Sequence, residues 1–343
     1  MQEKNIMNYL VAKMFHNNPK RILYTPPRGI GDFMFSLPLL HSLKHKFPNA
    51  EIFSPIPRDK QGALNLIGFV KKTQKFLPKP SDDPLAAKRW EASKSGNVTK
   101  KYKIEKQIYE KYLHGENFDL ALIPKNFHIN SISCDTQISD LDLQQANLQT
   151  NGIHMVDRFL KFAEYLGIEK EMCFDLNLNK TDPAMNTHGD YINIKNPYII
   201  LSLDGSTNKK IWTQNGYSEV AKWGLKNGFE IILVGDPRRY QLSTHINGKG
   251  IHNMVLPQGY SFNLENFAKL AYHSQAIVSP DTGVAHLSDA IGAHVIGLYG
   301  PTSPIKYAPY NNQDNVVSTF QTDKDTKSIQ SKKVIEKLEK ILK

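Results

Sequence analysis

The sequence predicts an α/β protein made of two halves, each a parallel sheet covered by helices. Three observations carry that expectation. Short apolar runs alternate with stretches in which apolar residues recur at helical spacing. The alternation stops at a polar stretch from Asn177 to Asn196, with Pro183 inside it and Pro197 after it, and then begins again. The length of 343 residues and the 40% apolar content suffice for two domains with separate cores.

In the first half, "RILYT" (21–25), "AEIFSP" (50–55) and "FDLALIP" (118–124) read as buried strands, with helices over 33–47 and over "HMVDRFLKFAEYLG" (154–167). In the second half the strands are "YIILSL" (198–203), "FEIILVG" (229–235), "AIVSP" (276–280) and "HVIGLYG" (294–300). Their helices are "GYSEVAKWGLKNG" (216–228), "LENFAKLAYHS" (264–274) and "GVAHLSDAIG" (283–292). A helix between two strands returns the chain to the same sheet edge, so alternation implies parallel strands buried on both faces. Two Rossmann-like domains are expected, over 1–180 and 181–320. Residues 321–343 are expected to form a terminal helix that packs back on the first domain. Its apolar stripe is Val334, Leu338 and Ile341.

Residues 71–111 stand apart. They hold twelve Lys and Arg against five Asp and Glu, a surplus of seven within a net charge of +10. Phe76, Trp90, Tyr102, Tyr109 and the adjoining Tyr112 have rings suited to stacking on a base or sugar. Taken alone, the segment reads as a solvated helical insertion whose lysine stems lie along apolar surface. The overall charge favours anionic partners: nucleic acid, an anionic membrane face or phosphorylated small molecules.

Cys134 and Cys173 lie outside any C-x-x-C or Cys/His cluster, so neither a disulfide framework nor a zinc site is expected, and a reducing cytoplasm fits. The N-terminal "MQEKNIMNYLVAKMFHNNPKR" is charged throughout. No apolar run reaches the roughly 18 residues that span a bilayer.

The stretch "TPPRGIGDFMFSLPLL" (25–40) sits where a strand ending at Thr25 or Pro26 meets a helix, the edge at which open α/β sheets bind ligands. Gly29 and Gly31 are expected to supply positive φ and a close backbone approach. Asp32 then falls at the helix N-terminus, either as a cap or as a carboxylate offered to a ligand. Pro38 marks a bend in that helix. A dinucleotide fingerprint does not fit, since Met34 holds the third glycine's place and no acid closes the next strand before Asp59. In the second half, Asp281-Thr282-Gly283 joins a strand to a helix, with His286 one turn in. Unpaired amides and the helix dipole make such a turn an anion site. Gly300-Pro301-Thr302 forms a second bend after the next strand.

Together, G-x-G-D-x-x-x-x-x-P (29–38), the segment "LDGSTNKKIWT" with its Lys210-Ile211-Trp212, and the run from Asp281 to Pro304 resemble the heptosyltransferase family, glycosyltransferase family 9. The resemblance extends from about Arg21 to Pro309. It implies a GT-B architecture, two Rossmann-like domains with parallel sheets facing across a cleft, the first binding acceptor and the second a nucleotide-sugar. It implies an inverting transferase that moves a heptose or related sugar, with ADP-heptose as donor, to a lipopolysaccharide core or a lipid-linked glycan. Asp32 would be the general base, kept ionised by the helix N-terminus. Ser206, Thr207, Lys210, Asp281, Thr282, Gly283 and His286 would hold the donor diphosphate without a metal or other cofactor. A cytoplasmic enzyme, touching an anionic membrane surface and not binding nucleic acid, is the expectation.

Three other features are weighed beside it. "DLD" (140–142) has the D-x-D form of metal-using transferases but reads as a solvated loop, and His41 and His45 read as a helix face without a third ligand. After "FEIILVGD" the family often has an acid that holds the ribose, where this chain reads "PRRYQLS". Arg238 and Arg239 at that rim predict weak discrimination between adenine and uracil. The alternatives are a GT-B transferase using a UDP-sugar, a related epimerase, or a non-catalytic basic binding protein that keeps the fold.

Overall fold

The computed structural model describes residues 18–26, 29–57, 60–125, 127–179, 196–235, 250–255 and 264–342. The chain divides into two units, Met1–Phe174 and Asp175–Lys343. The first holds strands β1 (Arg21–Tyr24), β2 (Glu51–Ser54), β3 (Val70–Lys72), β4 (Asn117–Ile123) and β5 (Ser133–Ser139). They pair in the order β3-β2-β1-β4-β5, all parallel. Its helices are α1 (Ile30–Phe35), α2 (Leu37–Lys46), α3 (Gln61–Ile67), α4 (Pro84–Lys94), α5 (Val98–Tyr112), α6 (Asp140–Gln145) and α7 (Met155–Tyr165).

The second unit holds β6 (Tyr198–Ser202), β7 (Glu230–Gly235), β8 (Ile251–Val255), β9 (Ala276–Pro280), β10 (Val295–Tyr299) and β11 (Val316–Ser318). Their order is β11-β10-β9-β6-β7-β8, again all parallel. Helices α8 (Gln214–Lys226), α9 (Leu264–Tyr272), α10 (Gly283–Ala290), α11 (Pro304–Tyr307) and α12 (Ser331–Ile341) cover it. In each sheet the strand order reverses beside the first strand, between β1 and β4 and between β6 and β9. Crevices outside the carboxyl ends of strands at such points are where open α/β sheets take ligands.

The strands read from the sequence are the interior ones. The four it lacks, β3, β5, β8 and β11, are the sheet edges. An edge strand buries less side chain, so "VKK" and "SCDTQIS" carry no apolar run to announce them. Interior strands β6, β7, β9 and β10 are buried at every position.

Two expectations need correction. Residues 71–111 are not an added insertion: α4 and α5 are the crossover from β3 to β4. Ile104, Ile108, Tyr109 and Leu113 pack with Leu23, Phe118, Ala121 and Ile123 in one core cluster. Tyr109 is fully buried and so cannot stack on a ligand. The terminal helix also packs elsewhere than expected. Val334 and Leu338 of α12 are fully buried in the second unit's core with Trp212, Val220, Ile296 and Leu298, because the crossover that ends in β11 leaves α12 beside α8.

Candidate active site

In the first unit, β1 ends at Tyr24 and α1 starts at Ile30, so Asp32 is the third residue of a helix that begins at the sheet's carboxyl edge. Gly29 is the N-cap residue, with φ −82° and ψ 146°. This corrects the expected use of positive φ; only the close approach is needed. A Cβ at Gly29 would lie 2.6 Å from Asp32 Oδ2, so the carboxylate rests where any side chain at 29 would stand. Helix α1 stops at Ser36, whose N–H and hydroxyl both donate to Phe33 O, at 3.1 and 2.7 Å. Pro38 is the second residue of α2, in the first turn, where its missing N–H leaves no intrahelical bond unmade.

One basic group in electrostatic reach of Asp32 is Lys101. Burial, and then the neighbouring Arg89, push the Lys101 ammonium below its usual value, while Glu105 and Asp32 pull it back. Arg89 itself pairs with the buried Glu105 at 3.4 Å. Part of the basic segment thus lies within electrostatic reach of Asp32.

In the second unit, the loop after β6 and the turn after β9 flank the order reversal. Lys210 Nζ donates to Asp281 Oδ2 at 2.5 Å and to Asp281 O at 3.3 Å, and Asp281 Oδ1 meets His286 Nε2 at 3.1 Å. Burial alone would raise the Asp281 carboxyl. The His286 hydrogen bond, with the His286 and Lys210 charges, outweighs it and holds the group at about 2. Thr282 is the N-cap residue of α10 and makes no side-chain cap bond to the first amides of that helix. Ser206 and Thr207 are exposed on the loop, and Thr207 O accepts from Lys210 N at 3.0 Å. A Cβ at Gly205 would lie 3.0 Å from Lys210 Cβ, so the glycine lets this loop fold tightly on its lysine.

Lys210, Asp281 and His286 therefore meet, with Thr282 and Gly283 beside them. Asp281 is 7% exposed, and both of its carboxylate oxygens are taken up by Lys210 and His286. Trp212 is a core residue whose Nε1 donates to Ile329 O at 2.9 Å. After β10, Gly300 serves close packing: a Cβ there would lie 2.2 Å from Thr326 N. Arg238 and Arg239 lie outside the described residues.

The "DLD" stretch is no solvated loop. It opens α6 with a capping box between Ser139 and Asp142. Asp140 is buried against Arg158 and Asp142 meets His128 at 2.9 Å. Among the described residues, no group of three His, Cys, Asp or Glu side chains could hold a metal ion. Sequence reasoning missed two residues. Asp204 follows β6, its Oδ2 2.9 Å from where a Cβ on Gly235 (φ +133°) would stand. Lys125 follows β4 and is 3% exposed. Each stands just past an interior strand, a position that could have drawn attention.

Two parallel doubly wound units, each with polar residues at its order reversal, are the components of the GT-B architecture. The profile of glycosyltransferase family 9 (heptosyltransferase) matches residues 121–337, and the chain belongs to that family. The lipopolysaccharide core heptosyltransferase OpsX of Haemophilus influenzae is 30% identical over 182 residues, 49% of this chain and 48% of that one. Lipopolysaccharide heptosyltransferase 1 of Escherichia coli is 21% identical over 93% of this chain and 99% of its own length. Among solved structures, the E. coli heptosyltransferase WaaC with ADP superposes with a TM-score of 0.63 at 19% identity, over 94% of this chain and 99% of that one. Among the described residues no helix is long and apolar enough to cross a membrane.

Proposed function

We propose that this enzyme moves a heptose, with inversion, from ADP-heptose to a hydroxyl of a lipopolysaccharide core, and that it does so without a metal. The observation that carries the donor half is the Lys210–Asp281–His286 cluster beside the open N-terminus of α10. Two of the three Lys210 ammonium protons are held by Asp281, and among the described residues the third is left for a diphosphate oxygen. The hydroxyls of Ser206 and Thr207 and the amides of Thr282 and Gly283 add neutral donors. These groups stabilise the negative charge that grows on the diphosphate as the bond to the anomeric carbon breaks. In the first unit, Asp32 takes the proton from the acceptor hydroxyl as that oxygen attacks the anomeric carbon from the opposite face. The lipopolysaccharide heptosyltransferases among its relatives, and the ADP held by one of them, support this choice of donor and acceptor.

Calorimetry with ADP and UDP, followed by transfer assays from ADP-heptose to heptose-less lipopolysaccharide, tests the reading. Lys210→Ala should weaken ADP binding by roughly 1.5–3 kcal/mol, the range for hydrogen bonds to charged groups. Asp32→Asn should bind ADP as the parent does and lose on the order of 100-fold or more in turnover. Loss of parent activity in EDTA, restored by magnesium or manganese, would overturn the metal-free part.

A further inference from the structure

Lys125 is a buried lysine that this mechanism leaves without a role. It stands two residues past β4, on the strand next to β1 at the order reversal. Its ammonium donates to Thr25 O at 3.1 Å, to Pro26 O at 3.3 Å and to the Tyr109 hydroxyl at 3.1 Å. All three protons are used, and none points to a ligand. Burying an ammonium costs several kcal/mol before its partners repay it, so a core-filling apolar side chain would serve packing alone as well or better. What the charge adds is direction, because two of its three acceptors are the backbone carbonyls with which the chain leaves β1.

Those carbonyls lie just ahead of α1, the helix that carries Asp32. Pro26 is three residues before Gly29, the N-cap of α1, and the Asp32 carboxylate folds back over Gly29. Helix α1 has six residues and no side-chain cap bond at its start. So short a helix depends on tertiary anchoring for its orientation. The Lys125 main chain is itself held, its N–H donating to Ile123 O at 2.6 Å and its O accepting from Asp140 N at 3.2 Å. A rigid post thus grips the exit of β1.

We propose that Lys125 is a positioning residue for Asp32: its ammonium, fixed at the end of β4, holds the Thr25 and Pro26 carbonyls and thereby sets where α1 starts and where the Asp32 carboxylate points. The proposal rests on Asp32 being the base. A misplacement of about 1 Å in a reacting group is enough to cost on the order of 100-fold in rate.

The test compares Lys125→Met, Lys125→Arg, Tyr109→Phe, Asp32→Asn and the Lys125→Met/Asp32→Asn double variant. Each is assayed for heptose transfer from ADP-heptose to heptose-less lipopolysaccharide, and for hydrogen exchange in a peptide spanning 25–36. Lys125→Met should lower kcat by about 10- to 100-fold with KM for either substrate within about threefold. It should also speed exchange in that peptide, and Lys125→Arg should recover part of both losses. Tyr109→Phe keeps both carbonyl contacts and should keep kcat and exchange near the parent. In the double variant the Lys125 change should add little to the loss already caused by Asp32→Asn, as expected of residues acting through one group. ADP binding, measured on every variant, reports whether the second unit is intact. Unchanged exchange over 25–36 in Lys125→Met, or a full additional loss in the double variant, would overturn the proposal. A parent-like kcat for Asp32→Asn would instead sink the base reading itself.

Discussion

Asp281 shows how a single buried carboxylate can tie two elements of the second unit together. It is enclosed, and it stays ionised because His286 and Lys210 hold its two oxygens from different elements. Its folded-state value of about 2 lies below the ordinary 3.8, so the unfolded chain binds its proton more readily than the folded one. The resulting stability is complete above the ordinary carboxylate value and disappears as pH falls from about 4 through about 2. Linkage puts it on the order of 2 kcal/mol. Urea unfolding of the parent and of Asp281→Asn should therefore show a gap at neutral pH that closes on acidification over that interval. A gap independent of pH would assign the loss to packing. Gly29 makes the complementary point: its value lies in an absent atom, because a Cβ would stand 2.6 Å from the Asp32 carboxylate.

At the level of elements, α5 looks like a solvated, lysine-rich helix in the sequence and turns out to be structural, while α12, expected to pack on the first domain, packs on the second. Helix α5 buries Ile104, Glu105, Ile108 and Tyr109 along one face. Helix α12 buries Val334 and Leu338, four residues apart, and leaves Lys332, Lys333 and Lys340 exposed. Leu338→Ala should cost about 2–5 kcal/mol, the range for removing a leucine from a packed core. Denaturant unfolding of the intact chain is the measurement. A loss below about 0.5 kcal/mol, typical of a surface change, would show that α12 is only loosely attached in solution. The packing also removes α12 as an apolar anchor for lipid, since the stripe that would enter a bilayer is already covered.

For the molecule as a whole, the surplus of positive charge remains to be accounted for. Some of the first unit's excess is neutralised internally, as in Lys111 with Asp83 at 2.5 Å and Arg89 with Glu105. With a net +10, enough stays at the surface for a long-range attraction to anionic lipid. We propose that this attraction brings the enzyme to a membrane carrying its acceptor. Vesicle sedimentation should show binding that requires anionic lipid and falls steeply between about 50 and 300 mM salt, as screening shortens the range of the field. Equal binding to neutral vesicles at high salt would refute it.

The fold class, every interior strand and the residues that meet as Lys210, Asp281 and His286 were legible in the amino-acid sequence. These are signals written locally: a buried strand must be apolar along its length, and a turn that offers amides at a helix start needs its short residues in order. The tertiary structure decided what depends on neighbours distant in the chain. The edge strands β3, β5, β8 and β11 exist because a sheet was there to receive them. The basic segment became a crossover because Ile104 and Ile108 found β4 to pack on. Lys125 reads as an ordinary lysine after a strand until the carbonyls of Thr25 and Pro26, 100 and 99 residues earlier, close around its ammonium. Hydrogen bonds of that span leave no periodicity in the sequence, because their partners are set by the pairing of β1 with β4 and not by spacing along the chain.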